Sequence, residues 1–298
     1  MSKICDINSH GCGVVQGDST LLVKDQLVAQ PGRYRLIWAD MCPWSQRIRL
    51  LLNLLDLDAF VSSGKVAPTK DKIGWNFSTN PYEKDPVLQV KHLVDTYYKV
   101  DKKFTGRATV PSLIDVVSGK VVNNDVENLT VQLRTTLAPL QGSNALELYP
   151  PKLSKEIDDL NRTILLDINH GVYRLHHVNS DMQRRALNDQ LFDRLEWLNE
   201  RLKDQKYLFG NILTETDVRL YPTLARFDVV YNPLFHENRY KLSDLPNLWR
   251  YARDLYSIPI FHRTTNFPEI RRGYDTDEGY QNFMSVRMDR FFNQLWCC

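Results

Sequence analysis

The stretch LIWADMCPWSQRIRLLLNLL, Leu36 to Leu55, constrains the fold of this chain more than any other. Residues Tyr34 to Ala39 read as a short apolar strand that follows the turn signal Pro31-Gly32. From about Ser45 to Leu55 the apolar residues Ile48, Leu51, Leu52 and Leu55 recur at i, i+3, i+4 and i+7, so one face of a helix is packed against something. Arg47 and Arg49 fall off that face. The junction holds Cys42 and Pro43. Proline is tolerated in the first turn of a helix because its missing N–H would have no partner there. A strand that runs through a cysteine straight into a packed helix is the opening of an α/β layer.

The rest of that layer follows further on. A long polar and aromatic segment, about Asp56 to Arg107, carries a weaker helical pattern from Pro86 to Val100. Ser112–Val117 and Lys120–Val122 then read as β-branched strands joined at Ser118-Gly119, a hairpin with a two-residue loop. Asn124 fits an N-cap, with Glu127 three residues later closing a capping box. Strand, helix, insertion, strand, strand, helix makes a small α/β domain with a mixed sheet. Gly142 and Pro150-Pro151 mark a linker, and from Ser154 to about Tyr274 the pattern is helical throughout. Leu191, Leu195, Leu198 and Leu202 form one apolar stripe, and Tyr221, Leu224 and Ala225 part of another. Between them LTETDV starts a helix, with Thr214 at the N-cap, Asp217 at N3, and Leu213 and Val218 placed as a hydrophobic staple. The expected organisation is an arm (1–32), an α/β domain (33–140), a linker (141–153), an all-α domain (154–275) and a tail (276–298).

Totals exclude several function classes. At 298 residues the chain is long enough for two domains with real cores, so no disulfide or metal is needed to hold it up. Its net charge of +2 gives no support to a nucleic-acid or membrane-surface partner. No apolar run approaches the roughly 20 residues of a membrane helix. The first residues, MSKICDINSHGCGVV, lack a secretory pattern, and five cysteines without framework spacing point to a reduced, cytoplasmic protein. No metal site is expected. His176-His177 is too short a pair, and Cys5, His10 and Cys12 are only three candidate ligands in an irregular arm. Cys297-Cys298 reads as a reduced terminus, with a redox-sensitive tail as the alternative.

Cys42 admits two readings. It is either a small buried hydrophobe, the usual fate of a free cysteine, or a nucleophile. The second is favoured by its place: unpaired N–H groups and the positive end of the helix dipole converge at the turn before a helix and stabilise a thiolate. Ser45 stands where a second cysteine would allow a self-made disulfide, so the electron partner of Cys42 must come from outside. Val110-Pro111, directly before the hairpin, is the second piece. It is either an ordinary trans proline opening a strand or a cis bond. In thioredoxin-like folds the residue before such a cis proline offers its backbone to the peptide part of a thiol ligand.

Taken together, MCPWSQR, GWNF, GRATVPSLID, VVNND, INHGVYR, YLFGNILTETDVRLYPTLARFDVVYNPLF and LPNLWRYARDLYSIPIF resemble the glutathionyl-hydroquinone reductases, the Xi class of glutathione transferases. The resemblance runs from about Gly32 to Tyr274. It implies a thioredoxin-like N-terminal domain plus an all-α C-terminal domain, a homodimer, glutathione as co-substrate, and a quinone-derived aromatic substrate. Position by position, Cys42 matches the catalytic cysteine, Trp75 the tryptophan over the glutathione, and Val110 (with Pro111) the residue whose backbone pairs with the cysteinyl group. Tyr173, Tyr231 and Tyr274 match the tyrosines that line the aromatic pocket. Each of the three is otherwise a plain packing residue.

The departures are specific. Where the family carries Glu-Ser for the γ-glutamyl group, this chain has Asp125-Val126. Asp125 keeps a carboxylate for the ligand's ammonium, one methylene shorter. Val126 removes a hydroxyl, leaving the N–H groups of that helix start to meet the ligand's carboxylate. The family's Ala-His after the tryptophan is Ser45-Gln46 here, and the tail is unrelated. A related low-molecular-weight thiol is therefore an alternative to glutathione. The functional alternatives are a general glutathione thioltransferase of omega type, which would reduce mixed disulfides and spare thioethers, and a non-catalytic transferase-like binding protein.

Overall fold

The computed structural model describes residues 25–178, 180–235, 239–274 and 296. Along the described chain two compact units meet between Leu146 and Glu147, so the residues expected as a linker are divided between them. The expectations for Cys5, His10, Cys12 and Cys297-Cys298, and for the side chains of His176 and His177, lie outside the described residues.

In the unit ending at Leu146, β1 (Tyr34–Trp38) leads through Cys42 into α1 (Pro43–Leu54), as the sequence indicates. A strand that the sequence pattern did not reveal, β2 (Val61–Lys65), pairs parallel with β1 from Tyr34↔Val61 to Trp38↔Lys65. After α2 (Val94–Tyr98) come β3 (Ser112–Asp115), β4 (Lys120–Asn123) and α3 (Val126–Arg134). The sheet order is β2-β1-β3-β4, with β3 antiparallel to both of its neighbours, so the sheet is mixed.

The sequence VSSGK has little apolar alternation, and tertiary contacts make it a strand. Nε and Nη2 of Arg35 on β1 donate to Oδ2 of buried Asp85 at 3.0 and 2.8 Å. The other oxygen of Asp85 accepts from the N–H groups of Val87 and Leu88 at 3.0 and 2.8 Å. A Cβ on Gly64 of β2 would meet Asp85 Oδ2 at 2.5 Å and Arg35 Nη2 at 2.7 Å, so only glycine leaves room for the pair. Removing one member of a buried ion pair costs about 3–5 kcal/mol.

Three local expectations need correction. The helical pattern from Pro86 to Val100 yields only α2, because the preceding backbone is used elsewhere. Phe77 N–H donates to Lys91, Leu93 N–H donates to Trp75, and Gln89 takes a left-handed φ of 57°. The hairpin loop is four residues, Val116–Gly119, and not two. Asp115 ends β3 early by accepting from the N–H groups of Val117 (2.9 Å) and Ser118 (3.0 Å). The cap of α3 is Asp125 and not Asn124: Asp125 Oδ1 accepts from Glu127 and Asn128 N–H at 3.0 and 3.1 Å. Asn124 turns inward to the Tyr97 hydroxyl, and Glu127 pairs with Arg47 at 2.7 Å. Arg47, off the apolar stripe, is nonetheless only 1% exposed. It lies where α1 packs on α3, with its guanidinium 5.3 Å from the centre of the Trp44 ring.

The unit from Glu147 is helical: α4 (Ser154–Ile164), α5 (Gly171–His177), α6 (Asp181–Arg201), α7 (Glu215–Arg226), α8 (Asn232–Phe235), α9 (Pro246–Tyr256), α10 (Pro259–Arg263) and α11 (Phe267–Tyr274). Two π-helical turns, Leu165–Asn169 and Phe227–Tyr231, follow α4 and α7. The stripe Leu191, Leu195, Leu198 and Leu202 is buried, as are Tyr221, Leu224 and Ala225. The cap at Thr214 forms as expected. Asp217 accepts the Thr214 N–H and hydroxyl at 2.8 and 2.9 Å, and also Leu208 N–H and the Tyr251 hydroxyl. Among the described residues no helix is long and apolar enough to cross a membrane.

Asp115 gives the α/β unit a pH dependence. Partial burial works against its ionisation, but the Ser118 and Val117 N–H groups and the Arg33 guanidinium outweigh burial and hold its carboxyl below the usual range. The folded pKa is depressed, so the associated stability is present above the unfolded value of about 3.9 and fades as pH falls through the folded one. Denaturant titrations of Asp115→Asn should show a deficit against the parent at neutral pH that closes in strong acid. A deficit independent of pH would contradict this assignment.

Candidate functional site

Cys42 is the N-cap of α1, with extended backbone (φ −80°, ψ 113°) and Pro43 in the first helical turn. Its sulfur accepts the N–H of Ser45 at 3.3 Å and lies 3.4 Å from the carbonyl oxygen of Val110, to which a thiol proton donates. The sulfur therefore meets an amide and a carbonyl rather than hydrocarbon alone. It is also 0% exposed. The Ser45 N–H and the helix N-terminus favour negative charge on this atom.

The Val110-Pro111 bond is cis. A hydroxyl hub fixes this corner. Tyr97, fully buried on α2, bonds Ser112 Oγ at 2.8 Å and accepts from Asn124 Nδ2 at 3.1 Å and Thr109 N–H at 3.2 Å. Asn124 also donates to Thr109 Oγ1 at 3.2 Å. One phenol thus ties α2, the residue before Val110, the first residue of β3 and the approach to α3. No sequence pattern marks Tyr97, because its partners come from three separate segments. Trp75 is buried, its carbonyl held by Leu93 N–H at 2.9 Å, with Lys70 Nζ 4.8 Å from the centre of its ring.

At the start of α3 the structure changes the picture drawn from sequence. The Glu127 and Asn128 amides, expected to face a ligand carboxylate, are taken by the Asp125 side chain. Val126 presents a buried apolar side chain beside them. That end of the unit offers an anion less than a helix N-terminus ordinarily does.

The three tyrosines come together in the helical unit. Tyr173 Oη lies 2.8 Å from Tyr231 Oη and 2.9 Å from Tyr274 Oη, and the last two are 3.3 Å apart. Tyr173 sits on α5, just past one π turn, and Tyr231 closes the other; such turns re-phase a helix face and often mark functional sites. Tyr274 ends α11. Tyr231 and Tyr274 are buried, and Tyr173 is half-buried. Three hydroxyls in a triangle hold three protons, so a further phenolic or carbonyl oxygen that accepts from one of them takes the place of one bond within the triangle. A separate cleft of about 880 Å³ in this unit is lined by Trp249, Arg253, Tyr256, His262 and Trp296 among others, none of them singled out from the sequence.

Comparison with known proteins gives a consistent result. Residues 181–254 match the family described as glutathione S-transferase, C-terminal domain. The chain is 34% identical over 249 residues to the glutathionyl-hydroquinone reductase YqjG of Escherichia coli K12, covering 83% of this chain and 76% of that one. The glutathione-bound structure of YqjG superposes with a TM-score of 0.77, over 83% and 80% of the two chains. A glutathione transferase from Gordonia bronchialis is 42% identical, with a TM-score of 0.79 over 82% and 76%. The Xi glutathione transferase of Phanerochaete chrysosporium is 32% identical, with a TM-score of 0.79 over 88% and 92%.

Replacing Tyr97 by Phe leaves buried partners without their hydroxyl, at a cost on the order of 2 kcal/mol. Tyr98→Phe, at a neighbouring position that is 43% exposed, should be neutral. Urea midpoints of the two variants measure the difference; equal midpoints would rule out the hub.

Proposed function

Because the chain belongs to the glutathionyl-hydroquinone reductases, the Xi class of glutathione transferases, we propose that it removes glutathione from glutathionyl-hydroquinones through a mixed disulfide on Cys42. The observation that carries this is the sulfur at the N-terminus of α1, 3.3 Å from an amide and 3.4 Å from the carbonyl before a cis proline.

In the first step the Cys42 thiolate attacks the glutathione sulfur of the substrate. The Cys42–S bond to glutathione forms and the bond from that sulfur to the ring carbon breaks. Its electron pair passes to the ring, which takes up a proton and leaves as the hydroquinone. In the second step a free thiol, as thiolate, attacks the glutathionyl sulfur. A disulfide between the two small thiols leaves, and the electron pair returns to Cys42. No second cysteine beside Cys42 is needed.

Trp75 covers the tripeptide, and the Val110 backbone pairs with its cysteinyl group. Asp125 meets its ammonium. Hydroxyls of Tyr173, Tyr231 and Tyr274 bond ring oxygens and supply or stabilise the proton. We further propose a homodimer acting in the cytoplasm, with the domain limits read from the sequence. Light scattering of the purified chain tests the first, and fractionation of the native cells the second.

Turnover of a glutathionyl-hydroquinone should vanish in Cys42→Ala, and incubation of the parent with glutathione disulfide should add one glutathionyl group to the Cys42 peptide by mass spectrometry. Turnover surviving in Cys42→Ala would end the proposal. A parent that reduces mixed disulfides while sparing thioethers would instead be a general thioltransferase.

The lost hydroxyl at Val126 makes a second expectation. Val126→Ser restores a hydrogen bond to a charged group, so the affinity for glutathione should rise about ten-fold. No gain in titration calorimetry would mean that the native thiol lacks a carboxylate at that point.

A further inference from the structure

We propose that the Ser45 hydroxyl is a second hydrogen-bond donor to the Cys42 sulfur whenever that sulfur is negatively charged. This rests on Cys42 being the nucleophile, and it extends the site to a residue for which the family resemblance supplies no function.

Two independent observations meet at Ser45. Its backbone N–H already donates to Cys42 Sγ at 3.3 Å, so its Cα is held beside the reacting atom. Its side chain is 0% exposed, and its Oγ is a buried polar atom with no hydrogen-bond partner among the described residues. Buried hydroxyls are nearly always satisfied, and a helical serine ordinarily bonds a carbonyl one turn back. At this position an alanine would fill the first turn without leaving a donor stranded.

The state of the sulfur accounts for the stranded donor. Whenever its sulfur carries a proton directed at the Val110 oxygen 3.4 Å away, Cys42 is a thiol, and a thiol sulfur is a weak acceptor. A thiolate is a strong one. In two of the three staggered wells of χ1, serine Oγ lies gauche to its own nitrogen, on the side of the N–H that already reaches the sulfur. In either of those wells the hydroxyl and the N–H of Ser45 address the same atom once charge appears on it. Charge appears twice in each cycle: before attack on the substrate, and again when Cys42 leaves the mixed disulfide with the electron pair. The hydroxyl makes no bond in the thiol state and gains one in the thiolate state, which is the differential interaction that accelerates a step.

The proposal separates stability from reactivity. Ser45→Ala removes a donor that is unsatisfied in the resting state, so its thermal midpoint should equal or exceed that of the parent. Its Cys42 should nonetheless react with iodoacetamide about ten-fold more slowly, followed on the Cys42 peptide by mass spectrometry. A merely structural serine would lower the midpoint and leave the alkylation rate alone, which would overturn the proposal. Ser45→Cys reports geometry without catalysis: mild oxidation should join the introduced thiol to Cys42 and protect both from alkylation. Absence of that crosslink would show that a side chain at 45 does not reach the sulfur, and the proposal would fall. Neither failure touches the assigned function, which falls only if Cys42→Ala keeps turning over.

Discussion

The contact between the Cys42 sulfur and the Val110 carbonyl joins the two halves of the candidate thiol site. One partner comes from the junction of β1 and α1, the other from the corner that opens β3, and 68 positions of sequence separate them. Three features of the α/β unit bring these atoms together: the antiparallel register that sets Ile37 of β1 opposite Ser112 of β3, the proline in the first turn of α1, and the Tyr97 hub that fixes Thr109 beside Val110. The contact also has a chemical consequence. A backbone carbonyl accepts from a thiol but repels a thiolate. If the same carbonyl is the acceptor for the cysteinyl N–H of an incoming tripeptide, ligand and proton compete for it. Binding then takes away the acceptor that favours the thiol just when the thiolate is needed.

Much of this was legible in the chain itself. The strand, the cysteine, the proline and the helix stand within 20 residues, and local rules of capping and periodicity suffice to order them. The Thr214–Asp217 cap, the leucine stripe of α6 and the mixed sheet were legible for the same reason. What escaped depends on distant partners. β2 is a strand because Gly64 makes room for the pair between Arg35 and Asp85, and nothing in VSSGK says so. Arg47 falls off the apolar face of α1, and nothing in the helical period says that it is buried. It is buried because a carboxylate on α3 and the Trp44 ring receive it. Asn124 and Asp125 are both good caps, and only the Tyr97 hydroxyl, drawing Asn124 inward, decides between them. The three tyrosines came from family resemblance, since no pattern predicts that residues 58 and 101 positions apart will share a hydrogen-bonded triangle.

That choice between Asn124 and Asp125 bears on ligand selection. An aspartate at the cap folds its own carboxylate back onto the next two free amides. A glutamate there, one methylene longer, can extend away and leave the amides to the hydroxyl residue that follows. The pairing of Asp125 with Val126 is therefore one coupled change. The shorter acid satisfies the helix end internally, and valine then seals it with an apolar surface. That end of the unit is correspondingly less suited to an anion than an uncapped helix N-terminus.

The helical unit meets a different demand, that of holding three phenols with their oxygens within about one hydrogen bond of each other. Buried tyrosine hydroxyls need partners, and here each is partner to the others. Such a set is polar enough to orient a ring oxygen and neutral enough to keep company with an aromatic ring. A carboxylate or lysine in its place would carry a desolvation penalty of several kcal/mol in a site walled by aromatic side chains. The two π turns supply the geometry: an extra residue in a helical turn rotates the following face. Tyr173 and Tyr231 thereby come into register with the end of α11, which a regular helix of the same composition would not achieve. The irregular backbone of this unit falls in two of the segments that carry the family resemblance, RFDVVY and INHGVYR, and the tyrosine triangle gives a physical reason for the coincidence.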